Sequence, residues 1–390
     1  MPRRAIVLVP GFGRREQTEA RSNLVEGIIA QAEGFTISQT NANAATNSRF
    51  ATLDVLDDHS PFNTQIDVIE AYWGDLIPDW SNESNLRRFK RGTSLVIYWA
   101  LGGLWGARKK PRFPPRTMLA IVIAAIFLVL WYLSVFAVVV TALAAGEIQM
   151  PGQLEQLFAI FGGGAGDGTA TDAADGSETG PWQAVLSQVA SFPVIVLLLG
   201  LAGAGGLEKI SNVASYTKAY LLDEPTDNGI VGVRAKARQR VVDALREVFA
   251  QDNPAYDEVY VVCHSLGGAI AVDALAQFGA GREKVTLFTW GTAMGVLALQ
   301  SDWVEDEIDT LITHTPSIAG WIDVVFRQDY MASVVPISPE VAAGQHPGKP
   351  VVIAPKLPYG SSWNIDRVHE GYYVDQQAVK MLVKDRAQLP

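Results

Sequence analysis

One cysteine, Cys263, is present in 390 residues, so no disulfide can form within the chain. Histidine is also scarce: there are five, and no Cys/His spacing of metal-site type. Lys and Arg number 31 against 41 Asp and Glu, giving a formal net charge of −10, which argues against a nucleic-acid role. A secretory leader is not expected. Arg3 and Arg4 precede only a short apolar run, residues 5–9, and Pro10-Gly11 follows without a small-residue cleavage site. That run reads as a buried strand.

What the chain has in plenty is apolar sequence. Two long stretches, 117–146 and 180–207, carry no charged residue. The first is longer than the roughly 20 residues that span a bilayer. The second is interrupted by Pro193 and several glycines and is closed by Glu208 and Lys209. A third stretch, 92–107, is shorter and reads as an interfacial helix. Arg87, Arg88, Lys90 and Arg91 precede it, and Arg108, Lys109, Lys110, Arg112 and Arg116 follow. Basic flanks on both sides place both at the cytoplasmic face. The loop 147–179 is acidic and Gly-rich, and no Lys or Arg occurs between Arg116 and Lys209. The pattern predicts a membrane hairpin of two crossings, with this loop on the far side. An apolar lid on a soluble protein is the alternative.

Around this insertion the chain alternates strands and helices, which predicts an α/β fold with a mostly parallel sheet and helices on both faces. Strands are expected at 5–9, 36–39, 66–73, 258–263, 284–290 and 321–326. Helices are expected at 15–32, 231–251, 269–275 and 375–384. The helix 231–251 has an apolar stripe and a basic face of Arg234, Lys236, Arg238 and Arg240. That face reads as solvated, or as a contact for anionic headgroups. Two sequence segments, 1–86 and 208–390, then make one domain split by the insertion 87–207. If they share a sheet, the number of crossings between them must be even.

The run Val261-Val262-Cys263-His264-Ser265-Leu266-Gly267-Gly268-Ala269 is the most specific signal. An apolar strand stops, a serine follows, and small residues open a helix. This is the pattern of a nucleophile elbow, in which a sharp turn lifts a hydroxyl above a sheet. A serine that merely caps the helix is the bland alternative. Cys263, at the end of a buried strand, reads as a packed small residue before it reads as a reactive thiol.

On these residues the chain resembles the α/β-hydrolase superfamily, in particular its lipases and esterases, with Cys263 where the family has the first glycine of Gly-x-Ser-x-Gly. The resemblance implies a Ser–Asp–His triad in that chain order. Ser265 is the nucleophile. Asp329, in the polar turn after a late strand, is the acid, with Asp323 as the alternative. His369, in a late loop before the last helix, is the base, with His346 as runner-up; His59, His264 and His314 do not fit the order or the place. Val9-Pro10-Gly11-Phe12-Gly13 matches the loop that supplies the second oxyanion donor, so the amides of Phe12 and Leu266 are expected to bind the oxyanion. The implied activity is membrane-anchored hydrolysis of an acyl ester, lipid or lipid-like, with no cofactor and no metal. The alternative is a non-catalytic hydrolase fold kept as a membrane-tethered interaction module. Two uncharged crossings offer no ionisable pathway for a transporter.

Overall fold

The computed structural model describes residues 2–40, 50–58, 63–103, 206–225, 229–250, 256–279, 281–357 and 365–390, with positions 122, 125, 126, 128, 129, 132 and 133 besides. The described residues fall into two compact units. The larger draws on Met1–Asp79, Leu101–Ile123 and Tyr216–Pro390, the smaller on Trp80–Ala100 and Ala124–Ser215.

The larger unit is built on a mixed eight-stranded sheet of order β2-β3-β4-β1-β5-β6-β7-β8. Its strands are β1 (Arg3–Val9), β2 (Phe35–Gln39), β3 (Phe50–Asp57), β4 (Asn63–Glu70), β5 (Glu258–His264), β6 (Val285–Trp290), β7 (Gly320–Val324) and β8 (Pro350–Ile353). From β4 through β8 every pairing is parallel, whereas β3 runs antiparallel to both of its neighbours. The mostly parallel α/β architecture therefore stands.

The central strands are β-branched runs because they are covered on both faces. In β1, Ala5 to Val9 have no exposed surface, and Val259 to Cys263 in β5 are equally enclosed. Alternation sorts the side chains. Ile6, Leu8, Tyr260, Val262, Phe288 and Trp290 join one core with Leu24 and Ile28 of the helix Glu19–Gln31 and Val379 and Leu382 of the helix Gln376–Val383. The helices Val233–Val248, Gly267–Gln277 and Trp303–Thr313 pack side by side, the first two also against β1. Each enclosed aliphatic side chain contributes about 1.5–3 kcal/mol of transfer free energy.

Several boundaries differ from the sequence reading, each for a physical reason. The expected helix 15–32 begins at Glu19, because Thr18 turns into the left-handed region (φ 82°) and the Glu70 carboxylate receives the Arg21 amide at 3.1 Å. Strand β3 was not anticipated, although Ala51, Leu53 and Val55 alternate as buried positions in it. The basic face of the helix Val233–Val248 is not simply solvated. Arg238 donates to Asp273 at 3.3 Å, and the Arg234 guanidinium lies 4.3 Å over Trp303. Asp273 is fully buried on the neighbouring helix, which is why these two arginines turn inward.

The described part of the stretch 92–107 is continuous with the helix before it. Gly92 lies inside the helix Asn85–Leu95, and a π-helical turn, Val96–Gly102, continues it. Leu95 and Leu128 form a small core with Phe89, Val96, Trp99, Tyr132 and Ala214. Arg91 is drawn to Glu83 and to Ser211, Asn212 and Ser215, and Arg88 to Glu208. Most of 117–146 and nearly all of 180–207 lie outside the described residues, as does the loop 147–179. Among the described residues no helix is long and apolar enough to cross a membrane.

Candidate active site

The parallel register places four connections at one end of the sheet. Val9 pairs with Cys263, and Trp290 with both His264 and Val324. The segments that follow β1, β5, β6 and β7 therefore emerge together.

After β5 the chain turns sharply at Ser265, whose φ is +53°. That left-handed conformation costs a non-glycine residue roughly 1–2 kcal/mol. It is held by the Ser265 amide donating to the Trp290 carbonyl and the Gly268 amide donating to the Ser265 carbonyl, both at 3.0 Å. The following glycine is a packing requirement. A Cβ on Gly267 would stand 2.4 Å from the Pro10 carbonyl oxygen and 2.5 Å from that of Val9. The helix Gly267–Gln277 can therefore start against the end of β1 only without a side chain there.

Ser265 Oγ lies 2.9 Å from His369 Nε2, and His369 Nδ1 lies 2.9 Å from Asp329 Oδ2. The structure thus brings the three residues into one hydrogen-bonded chain. Asp329 follows β7 in a turn and is buried. Burial pushes its carboxyl up, but the hydrogen bond and charge of His369, the Tyr372 hydroxyl and the Met331 amide outweigh burial and hold it below the usual value. An ionised carboxylate only accepts, so His369 carries its proton on Nδ1 and leaves Nε2 to accept from the Ser265 hydroxyl. His369 is not in a loop as expected. It occupies the last turn of the short helix Ile365–Glu370.

The alternatives fall elsewhere. Asp323 is a fully buried residue of β7, where it accepts from Thr289 Oγ1 at 2.7 Å and from the Val335 amide at 3.1 Å. Burial pushes its carboxyl up to about 6, against the pull of these two donors. His346 sits beside Gly344 in the loop before β8, His314 is exposed, and His59 lies outside the described residues.

The loop after β1 is placed by the same register. A Cβ on Gly11 would meet Ser265 Cβ at 3.1 Å, so the loop after β1 runs directly beside the serine. Among the described residues, the amides of Phe12 and Leu266 donate no backbone hydrogen bond. Trp73 Nε1 donates to the Pro10 carbonyl at 3.0 Å, and Tyr216 packs between Trp73 and Phe12, 5.4 and 5.7 Å from their rings.

Three contributors were not singled out from the sequence. Tyr372 donates its hydroxyl to Asp329 Oδ2 at 3.0 Å and accepts the Phe326 amide at 3.0 Å. Its place three residues after His369, one helical turn on, is a signal that was there to read. Gly291, at φ +57°, leaves room for this pair: a Cβ there would be 2.5 Å from the Tyr372 ring and 3.0 Å from Asp329 Oδ2. His264 holds the His369 main chain, a contact no local pattern reveals.

Among the described residues no group of three or more His, Cys, Asp or Glu is placed to hold a metal ion. Compared with protein-family models, with curated proteins and with solved structures, the chain finds no match.

Proposed function

We propose that this chain is a serine hydrolase of α/β-hydrolase type that cleaves an acyl ester through an acyl-enzyme. The observation that carries the reading is the Ser265–His369–Asp329 chain at a left-handed serine. Such turns store strain where a side chain must be presented. A serine that only caps a helix needs neither the strained φ nor an imidazole on its hydroxyl.

The chemistry follows from the donors and acceptors. Ser265 Oγ attacks the ester carbonyl carbon and its proton passes to His369 Nε2. Asp329 holds the Nδ1 proton and stabilises the imidazolium. The carbonyl π pair moves to oxygen, and the amides of Phe12 and Leu266 face it. Collapse expels the alcohol, which takes the proton from Nε2 and leaves the acyl group on Ser265. Water, deprotonated by His369, attacks that ester, and the acid departs as the serine recovers its proton. Donors of this type are typically worth about 2.7–4 kcal/mol each.

The proposal includes a tether. The uncharged stretches 117–146 and 180–207 cross a bilayer as a hairpin, with the catalytic residues on the cytoplasmic side and a lipid or lipid-like ester as substrate. Its support is in the sequence: nine basic residues around 92–107 against an acidic loop without Lys or Arg. Hydrolysis of a p-nitrophenyl acyl ester tests the chemistry. Wild-type protein should turn it over, and Ser265→Ala should fall by several orders of magnitude; equal rates would overturn the reading. For the tether, a cysteine at Asp172 should react with an impermeant reagent in intact cells and one at Lys110 should not. Equal labelling would favour the lid.

A further inference from the structure

We propose that His264 is a positioning residue that fixes the general base to the nucleophile's own strand through the His369 main chain. This rests on the hydrolase reading of Ser265 and His369.

The argument starts from what His369 lacks. It sits in the last turn of a helix of six residues, where a carbonyl finds no partner within that helix. The imidazole of His264 supplies one from outside, with Nε2 2.7 Å from the His369 carbonyl oxygen. A carbonyl only accepts, so His264 Nε2 carries a proton and donates it to this contact. Burial, and then the charge that His369 acquires, push His264 down to about 4, so it stays neutral through the working range of a serine hydrolase. The two rings are 4.7 Å apart, and Tyr373 meets His264 edge-on at 5.3 Å. The next residue, Glu370, is tied at 2.7 Å to Arg15, just beyond the oxyanion loop.

The placement has a geometric consequence. His264 adjoins Ser265 in the chain, so one peptide unit separates the hydroxyl from the tie. Strand β5 is hydrogen-bonded on both sides, at β1 and at β6. Base and nucleophile thereby share one rigid reference. A ring that only filled space would not need its donor on the one atom that faces this carbonyl. Its other nitrogen, Nδ1, has no hydrogen-bond partner among the described residues and faces Gly11, where a Cβ would come within 2.7 Å.

The test separates donor from ring. His264→Phe keeps the ring and loses the donor. His264→Gln keeps an amide nitrogen as far from Cβ as Nε2, and His264→Asn ends one bond short. With a p-nitrophenyl ester, Phe and Asn should lower kcat by about 10- to 100-fold, the scale of a misplacement of about 1 Å, with KM unchanged. Gln should recover most of that loss. Full activity in the Phe variant, or equal loss in Gln and Phe, would overturn the proposal.

A second measurement does not depend on turnover. In folded, 15N-histidine-labelled protein, the Nδ1 proton that His369 shares with Asp329 should shift or exchange faster in His264→Phe than in wild type and be restored in His264→Gln. An unchanged resonance would refute the tie. Wild-type protein that shows this resonance but does not hydrolyse the ester would sink the hydrolase reading instead.

Discussion

Removing one oxygen, in Tyr372→Phe, tests the electrostatics of the site with little change in shape. The Tyr372 ring is buried and stacked on Phe326 with centroids 3.9 Å apart, a contact that phenylalanine keeps. The hydroxyl does two things: it donates to Asp329 Oδ2 and accepts the Phe326 amide, both at 3.0 Å. A hydrogen bond to a charged group is worth about 1.5–3 kcal/mol, and a buried amide left without a partner costs about 1–3 kcal/mol. The two terms overlap because one atom makes both, so the expected loss is about 2–5 kcal/mol at pH 7 in urea denaturation. The pH dependence distinguishes the terms. The Asp329 carboxyl is held below its usual value, so its stabilisation is present above about pH 4, the unfolded value, and is lost as pH falls through the folded one. The charged part of the Tyr372 contribution goes with it, while the orphaned Phe326 amide remains. The gap between wild type and Tyr372→Phe should therefore narrow below about pH 4. A gap under about 0.5 kcal/mol at pH 7, the range of an ordinary surface substitution, or one that widens in acid, would refute the reasoning.

Ser265→Gly should abolish ester hydrolysis and raise stability by up to about 1 kcal/mol in denaturant titration, since glycine adopts φ +53° without the Cβ penalty; a destabilised variant would mean the turn is unstrained. Gly267→Ala should prevent the close approach to the Val9 and Pro10 carbonyls and cost both folding stability and activity, read by thermal melting and turnover. Asp323→Ala leaves the Val335 amide buried without its acceptor and should cost about 1–3 kcal/mol, while Asp323→Asn, which can still accept from that amide, should cost less. Because the Asp323 carboxyl is raised to about 6, wild-type stability from this group is full below about pH 4, falls as pH rises to about 6 and levels off above that; Asp323→Asn should flatten that slope.

The serine was legible because its signal is local. A strand, a serine and two glycines sit within nine residues, and the turn they make is the one that the structure has. Asp329 was separable from Asp323 by its polar turn against an apolar strand; both are buried, and what divides them is that Asp323 lies within β7 and Asp329 beyond its end. The helix that carries His369 leaves no periodic signal, since six residues with glycine next in line give too short a period. Strand β3 has its alternation at Ala51, Leu53 and Val55, with polar residues between them. The inward turn of Arg234 and Arg238 depends on Asp273 of another helix, and the burial of Arg4 on Glu258 and the carbonyls of Leu382 and Lys384. These are partnerships between distant segments, which periodicity does not encode. Likewise, nothing near Ser265 announces that His264 reaches the backbone of a residue more than a hundred positions on.

Reaction with a fluorophosphonate, followed by mass spectrometry of the digested protein, measures most directly whether Ser265 is an activated nucleophile. Wild-type protein should carry one phosphonyl adduct, on the peptide containing Ser265. His369→Ala should label far more slowly because no base takes the hydroxyl proton. An adduct on another residue, or labelling of His369→Ala at the wild-type rate, would contradict the assignment of the Ser265–His369–Asp329 chain as a catalytic triad.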